Sequence, residues 1–400
     1  MTERMSFAGL LEFYENHLRG QVMPFWTTHC IDWEHGGISN CVADDGAMHS
    51  TDKYVWSQGR ALWTFSALYS DFDQDPQWLG IADNVAGFLM RHGRDHDGAW
   101  AFCLDADGSV AEPPKSVYVD AFVMYGLTEY ARATGNPEAI EIAEQTFRRT
   151  SPMLRDHTTL PTEPLPIPDG LQSHGPSMIF ALVYHDLGVL TRNEEIINRA
   201  LELAEIIMTQ HLKPEHRLLY ELVRPGGELA DGDPGKTFVP GHVIESMWFM
   251  ERIYRHHDRR DRVAEAMDAI RWHLEKGWDE EYGGILLACH TEGGTPLWNQ
   301  PDAKCWWPHT EALYALLRAH AVTGESWCMD WYWRVHDYTF AAFPNREHGD
   351  WHQNLDRRGN PIPVVLGLTV KDPFHLPRAL IYSIATLRNL AAERCSSSAT

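Results

Sequence analysis

Four hundred residues carry 34 basic and 56 acidic side chains, a formal charge of −22, which repels nucleic acid and anionic membrane surfaces and argues against a polyanionic partner. Seven cysteines, odd in number and without a CxxC pair, fit a reducing compartment and predict neither disulfides nor a cysteine-built zinc site. Sixteen tryptophans and 22 histidines stand out, because flat apolar faces and imidazoles suit a pocket that stacks a ring and moves protons.

From the N-terminus, MTERMSFAGLLEFYENHLRG is charged and amphipathic with no uninterrupted apolar core, so no secretory signal is read, and no later segment approaches transmembrane length. A soluble, cytoplasmic protein is expected. The chain then punctuates itself with an acidic residue, a tight turn and a Gly or aromatic residue: DWEHGG near 32, DHDGAW near 95, a degenerate DHTTLPTE at Asp156, PEHRLLYE near 214, DEEYGG near 279 and REHGDW near 346. Units spaced roughly sixty residues apart mark a repeat architecture, in which no unit buries its own apolar face and each stacks on its neighbours.

Between turns lie two stretches with apolar residues at i, i+3, i+4 and i+7, as in WSQGRALWTFSALY followed by QWLGIADNVAGFLMRHG. Each unit therefore reads as a helical hairpin. ATGNPEAIEIAEQ and AVTGESWCMD place Gly after one helix and a polar cap or Pro at the start of the next. First helices such as GHVIESMWFMERIY are apolar on more faces than second helices such as RVAEAMDAIRWHLEK, which assigns the first to a buried inner ring. The expected fold is all-α, an (α/α)6 barrel of six hairpins in a single domain over 1–400, with 394–400 a disordered tail. Short β-hairpins are expected on the rim at GGISNCVADDGAMH and GAWAFCLDADGSV, and the proline run from Pro161 to Gly170 reads as an ordered rim loop because the repeat continues in phase across it.

Aligning the six inner helices by their starts gives KYVWSQGR, KSVYVDAF, SHGPSM, PGHVIESMW, CWWPHTEA and PFHLPRA. Each carries charged or imidazole residues in its first two turns: Arg60, Asp120, His174, His242 with Glu245, His309 with Glu311, and His375 with Arg378. If the six N-termini share one end of the barrel, these residues converge on one pocket, where helix ends add positive potential suited to an anionic intermediate. The i, i+3 pair His242 and Glu245 can act as imidazole and orienting carboxylate or as a plain helical ion pair. Arg60 and Arg378 can bind a substrate oxygen or bridge acidic neighbours, and His309 can face the ring wall. Trp56, Trp306, Trp307 and Trp351 are candidates for ring stacking. No HExxH spacing, P-loop or glycine fingerprint occurs, so neither a metal nor a nucleotide cofactor is predicted to carry the chemistry.

PGHVIESMW, WWPHTEALYALL, the DW…LDRRGNP segment and FHLPRAL resemble the N-acylglucosamine 2-epimerase family of sugar epimerases and isomerases, in matching order across nearly the whole chain. The resemblance implies an (α/α)6 barrel, often a homodimer, that acts without a cofactor on a monosaccharide or small oligosaccharide through a cis-enediolate. It assigns acid-base roles to His242 in GHxxE and His375 in FHxPR, and substrate-oxygen binding to Arg60 in QGR. Glu245, Trp307, Glu311 and Arg378 match positions that line or order the pocket. Pro373 stands where members acting on N-acetylglucosamine carry Cys, and SHGPSM offers His174 without the glutamate of the MHxxEA motif found in cellobiose epimerases and in mannose or sulfoquinovose isomerases. The sugar stays open on these grounds. The reading is thus a sugar 2-epimerase, with an aldose-ketose isomerase sharing the same base as the alternative. A glycoside hydrolase using Asp120, Glu245 or Glu311, and a non-catalytic sugar-binding protein, are more remote.

Overall fold

The computed structural model describes residues 4–368 and 370–397. Helix α1 (Phe7–His17) continues through a π turn at Leu18–Val22 into α2 (Met23–His29). There follow α3 (Val55–Ala67), α4 (Pro76–His92), α5 (Val117–Thr134), α6 (Pro137–Met153), α7 (His174–Thr191), α8 (Glu194–Ile206), α9 (Pro240–His256), α10 (Arg260–Gly277), α11 (Trp306–Thr323), α12 (Ser326–Ala342) and α13 (His375–Ser397). Helix α13 carries the expected tail in helical form as far as Ser397, and the last three residues of the chain lie outside the described ones.

Helices α3, α5, α7, α9, α11 and α13 pack on one another in that order, and α13 returns to touch α3. Outside them, α4, α6, α8, α10 and α12 each pack on a hairpin partner, and α1 packs on α13. This is an (α/α)6 barrel. Helix α7 is buried on nearly every face, whereas α10 buries one stripe that includes Val263, Met267, Ile270 and Leu274, the contrast expected of an inner ring clad by an outer one. At the α5–α6 junction, Gly135 takes a positive φ, the Asn136 side chain caps the Ala139 N–H and Pro137 opens the next helix. The inner ring is tightest between α3 and α5, where a Cβ on Gly126 would stand 2.3 Å from the Gly59 carbonyl oxygen.

The sixty-residue punctuation has a structural cause. Each marked turn follows an outer helix, and most are closed by a small antiparallel bridge: Ile31 with Ile38, Arg94 with Trp100, Leu212 with Leu219, Trp278 with Ile285 and Pro344 with Trp351. In four of these turns an Asp or Asn carboxamide oxygen or carboxylate accepts the N–H two residues on, from Asp32, Asp95, Asp279 and Asn345, and Asp156 does the same in the degenerate copy. A two-residue strand precedes four of the inner helices: Lys53–Tyr54, Gln172–Ser173, Thr237–Phe238 and Lys304–Cys305. The expected rim hairpins form around DDG, bridged by Val42 and Met48, and around DADG, pairing Cys103–Leu104 with Val110–Glu112. Among the described residues no helix is long and apolar enough to cross a membrane.

Candidate active site

At the N-terminal end of the inner ring lies a cavity of ≈ 230 Å³. Every inner helix contributes to it from its first two turns: Trp56 and Arg60 from α3, Tyr118 and Phe122 from α5, Gly175 and Ile179 from α7, His242 and Glu245 from α9, Trp306 and Trp307 from α11, and His375 from α13. Residues three or four apart share one helix face, so each helix presents one short patch to the centre. The rim covers the mouth with Pro164 and Leu165 of the proline run, Trp298, and Val365, Leu366 and Leu368 of the loop before α13.

His242 and His375 both contact the Trp307 indole, whose ring centroid is 5.1 Å from the first and 5.8 Å from the second. Each ring has one nitrogen held by a buried carboxylate. His242 Nδ1 lies 3.0 Å from Glu221 Oε2, and His375 Nδ1 lies 2.8 Å from Glu311 Oε1. With each Nδ1 directed at its carboxylate, each Nε2 has no protein partner among the described residues. The two environments differ. Burial disfavours a charged His242, but the Glu221 carboxylate, helped by Glu245, outweighs it and raises the pKa. Burial and the neighbouring Arg60 and Arg378 guanidinium groups lower His375 to about 3, against the pull of Glu245.

Arg378 is fully buried under the site, paired with Glu245 and, at 2.7 Å, with Glu311, its guanidinium stacked 4.4 Å from the Phe374 ring. Glu245, Glu311 and His375 have ligand atoms within 4.8 Å of one another, a spacing that can hold a cation. The guanidinium supplies that charge, so the cluster is an internal ion network that braces His375. Arg60 lies over the Phe122 ring at 3.9 Å and donates from one terminal nitrogen to Asp372 at 3.1 Å. Its other terminal nitrogen has no protein partner among the described residues and is available to a ligand. Ser57 shares Asp372, and Thr64 donates to the Pro373 carbonyl, so the segment entering α13 is tied to α3 by side chains of both.

Of the residues singled out in the sequence, His242, His375, Arg60, Trp56, Glu245, Trp306 and Trp307 line the cavity, and Glu311 and Arg378 sit directly behind it. His174 is enclosed below the wall, its Nε2 3.0 Å from Ser246 and its Nδ1 3.8 Å from Glu221. Three do not reach the site. Asp120 turns outward to pair with Arg149 of α6, and burial, opposed by that arginine, raises its pKa to about 6. Trp351 packs on Phe340 and Phe343 and donates to His17 at 2.8 Å. His309 accepts the Ile285 N–H and donates to the Cys305 carbonyl, a structural bridge. Among the residues not anticipated are the polar Tyr118, Asp372 and Glu221, the last reaching in from the rim.

A helical barrel whose inner helix ends aim two carboxylate-held imidazoles and an arginine at one aromatic cavity is suited to proton transfer on a carbohydrate. Comparison with known proteins agrees. Residues 36–375 match the profile of the N-acylglucosamine 2-epimerase (GlcNAc 2-epimerase) family. The chain is 30% identical over 391 residues to N-acylglucosamine 2-epimerase of Bos taurus, covering 95% of this chain and 92% of that one. In fold it is similar to cellobiose 2-epimerase of Spirochaeta thermophila, with a TM-score of 0.81 at 21% identity over 98% of this chain and all of that one. It is also similar to a D-mannose isomerase, with a TM-score of 0.78 at 18% identity over 94% and 98% of the two chains. The chain belongs to the N-acylglucosamine 2-epimerase family, and its activity is that of a sugar 2-epimerase.

Proposed function

We propose that this epimerase inverts carbon 2 of an uncharged open-chain aldose, N-acylated hexosamines first, with His242 and His375 acting on opposite faces of that carbon. The observation that carries the proposal is that His242 of α9 and His375 of α13 line one cavity, each in ring contact with the Trp307 indole. A proton α to an aldehyde is removed by a group that is unprotonated at working pH, and inversion needs a protonated group on the far face. His375, held neutral, removes the proton of one epimer, and the C2–H electron pair passes into the enediolate. His242, held charged, then protonates carbon 2 from the other side. The reverse direction exchanges the two parts. Arg60 and the helix N-termini stabilise the enediolate oxygens.

Besides the His242 imidazolium, the wall bears among the described residues one cation, Arg60, already shared with Asp372, and no lysine, which favours an uncharged sugar over a phosphorylated or sulfonated one. N-acylated hexosamines come first because of the 30% identity to the bovine enzyme named above. A hydrolase on this barrel would need two opposed free carboxylates at the scissile bond. Glu245 and Glu311 share Arg378, and Asp120 faces Arg149, so the ion network favours the epimerase. Ketose formation, suggested by the fold it shares with the mannose isomerase, would use the same first step and return the proton to carbon 1.

Variants test the reading. His375→Ala and His242→Ala are each expected to lower kcat by about 10²- to 10⁴-fold with unchanged circular dichroism. Full turnover by either variant would contradict the assignment.

A further inference from the structure

The two imidazoles stand on unlike electrostatic ground. Glu311, behind His375, already shares its charge with the buried Arg378 guanidinium at 2.7 Å and with the Trp248 indole N–H at 3.0 Å. Glu221, behind His242, has no lysine or arginine partner among the described residues. Its oxygens face His242 at 3.0 Å, the Ser173 hydroxyl at 3.4 Å and His174 Nδ1 at 3.8 Å. That His174 nitrogen, on a ring with no exposed surface, has no hydrogen-bond partner among the described residues. The backbone fixes Glu221 between α7 and α9: its carbonyl accepts the His174 N–H at 2.9 Å, its own N–H donates to the Thr237 carbonyl, and Leu222 pairs with Ser173.

We propose that Glu221 is the positioning residue that gives His242 the proton-donating part of the inversion, by holding one proton on that ring while Arg378 denies the same hold to His375. The inference rests on the two-imidazole reading and adds the origin of its asymmetry. Inversion consumes one neutral and one charged ring: one takes the C2 proton as the bond pair enters the enediolate, and the other returns a proton to carbon 2 as the pair comes back. Two rings governed by burial alone would both be neutral, and the enediolate would find no acid. The groups facing His242 are Glu221 from the rim, Glu245 from its own helix and His174 from α7. Tyr118 of α5 and His211 also couple to Glu221. Among these Glu221 supplies the anion, and it stays ionised: burial opposes its charge, but His242 and His174 outweigh that and hold its pKa well below the usual range.

Glu221→Gln removes the charge and keeps the shape. The measurements are the pH dependence of kcat/KM and, in deuterated buffer, the ratio of C2 deuterium in recovered substrate to that in product. The substrates are N-acetylglucosamine, mannose and cellobiose, using whichever the wild-type chain turns over. We expect kcat/KM to fall by about 10- to 100-fold, by analogy with the loss of a carboxylate that supports a metal-bound imidazole. The basic limb is expected to move down by about one unit or more. The ratio is expected to rise, because His375 abstracts the C2 proton, exchanges it with solvent and returns a deuteron to the same face while its partner no longer supplies the opposite one, and Glu221→Asp is expected to restore the limb. Unmoved limb and ratio in a folded Glu221→Gln overturn the proposal and leave the two-imidazole reading standing. A wild-type chain that places no deuterium at C2 of any of the three sugars overturns that reading itself. Nitrogen-15 NMR of His242 in the wild-type chain reads the same hold without a variant: an imidazolium at neutral pH supports it, and a neutral ring overturns it.

Discussion

At the residue scale, a histidine on a helix is fitted to be a base, an acid or a structural bridge according to what meets its second nitrogen, and the proposed roles in this chain span all three. His309 spends both nitrogens on backbone groups. His375 keeps one free and is lowered to about 3, while His242 keeps one free and is raised. These directions fix the sign of a pH profile. Inversion requires one proton on the pair, so kcat/KM is expected to hold toward acid until His375 begins to charge and to fall as pH rises through the elevated His242 value. The limbs must be the same in both directions, because the ratio of the two kcat/KM values is the equilibrium constant. Initial rates from each epimer across pH check this, and loss of activity as His242 charges would contradict it. The histidines were legible because they stand at the starts of apolar helices. Asp120 was misread because Tyr118, two residues earlier and about 200° around the helix at 3.6 residues per turn, is the one that faces inward. Glu221 was missed because its carboxylate arrives from the short strand region LLYELV, where no helical spacing marks it.

At the element scale, the inner ring depends on how closely neighbouring helices approach. Gly59 and Gly126 put bare backbone at the α3–α5 contact, and a Cβ on Gly59 would meet the Phe122 backbone at 2.6 Å. Backbone cannot give way as a flexible side chain does. Gly126→Ala is therefore expected to lower stability by about 1–3 kcal/mol, the cost of overpacking, and to displace Arg60 and so raise KM. Thermal unfolding and steady-state kinetics measure the two effects, and a variant as stable as wild type would contradict the packing account. Helix existence and the Gly-Asn-Pro junction were plain in the sequence, since caps and apolar spacing are local. The π turns at Leu18–Val22, Leu68–Asp73 and Ile207–His211 were not, because they answer to tertiary packing of otherwise ordinary helical sequence.

At the scale of the whole molecule, the repeat explains how six ordinary hairpins make one site. Each Asp- or Asn-capped turn brings the chain back from an outer helix, and each inner helix then presents its first two turns to the centre. The sequence carried that period openly, and with it the barrel and the end at which the site lies. It could not carry the pairings between distant repeats, such as Arg378 with Glu245 or Arg60 with Asp372, which exist only once the ring is assembled. The account's central claim is inversion at carbon 2 by proton exchange, and the most direct measurement is proton NMR of N-acetylmannosamine, N-acetylglucosamine, mannose and cellobiose incubated with the wild-type protein in deuterated water. The account predicts a C2 epimer as product, bearing solvent deuterium at carbon 2; a product that retains the original hydrogen at carbon 2, or the absence of any C2 exchange across these sugars, would contradict it.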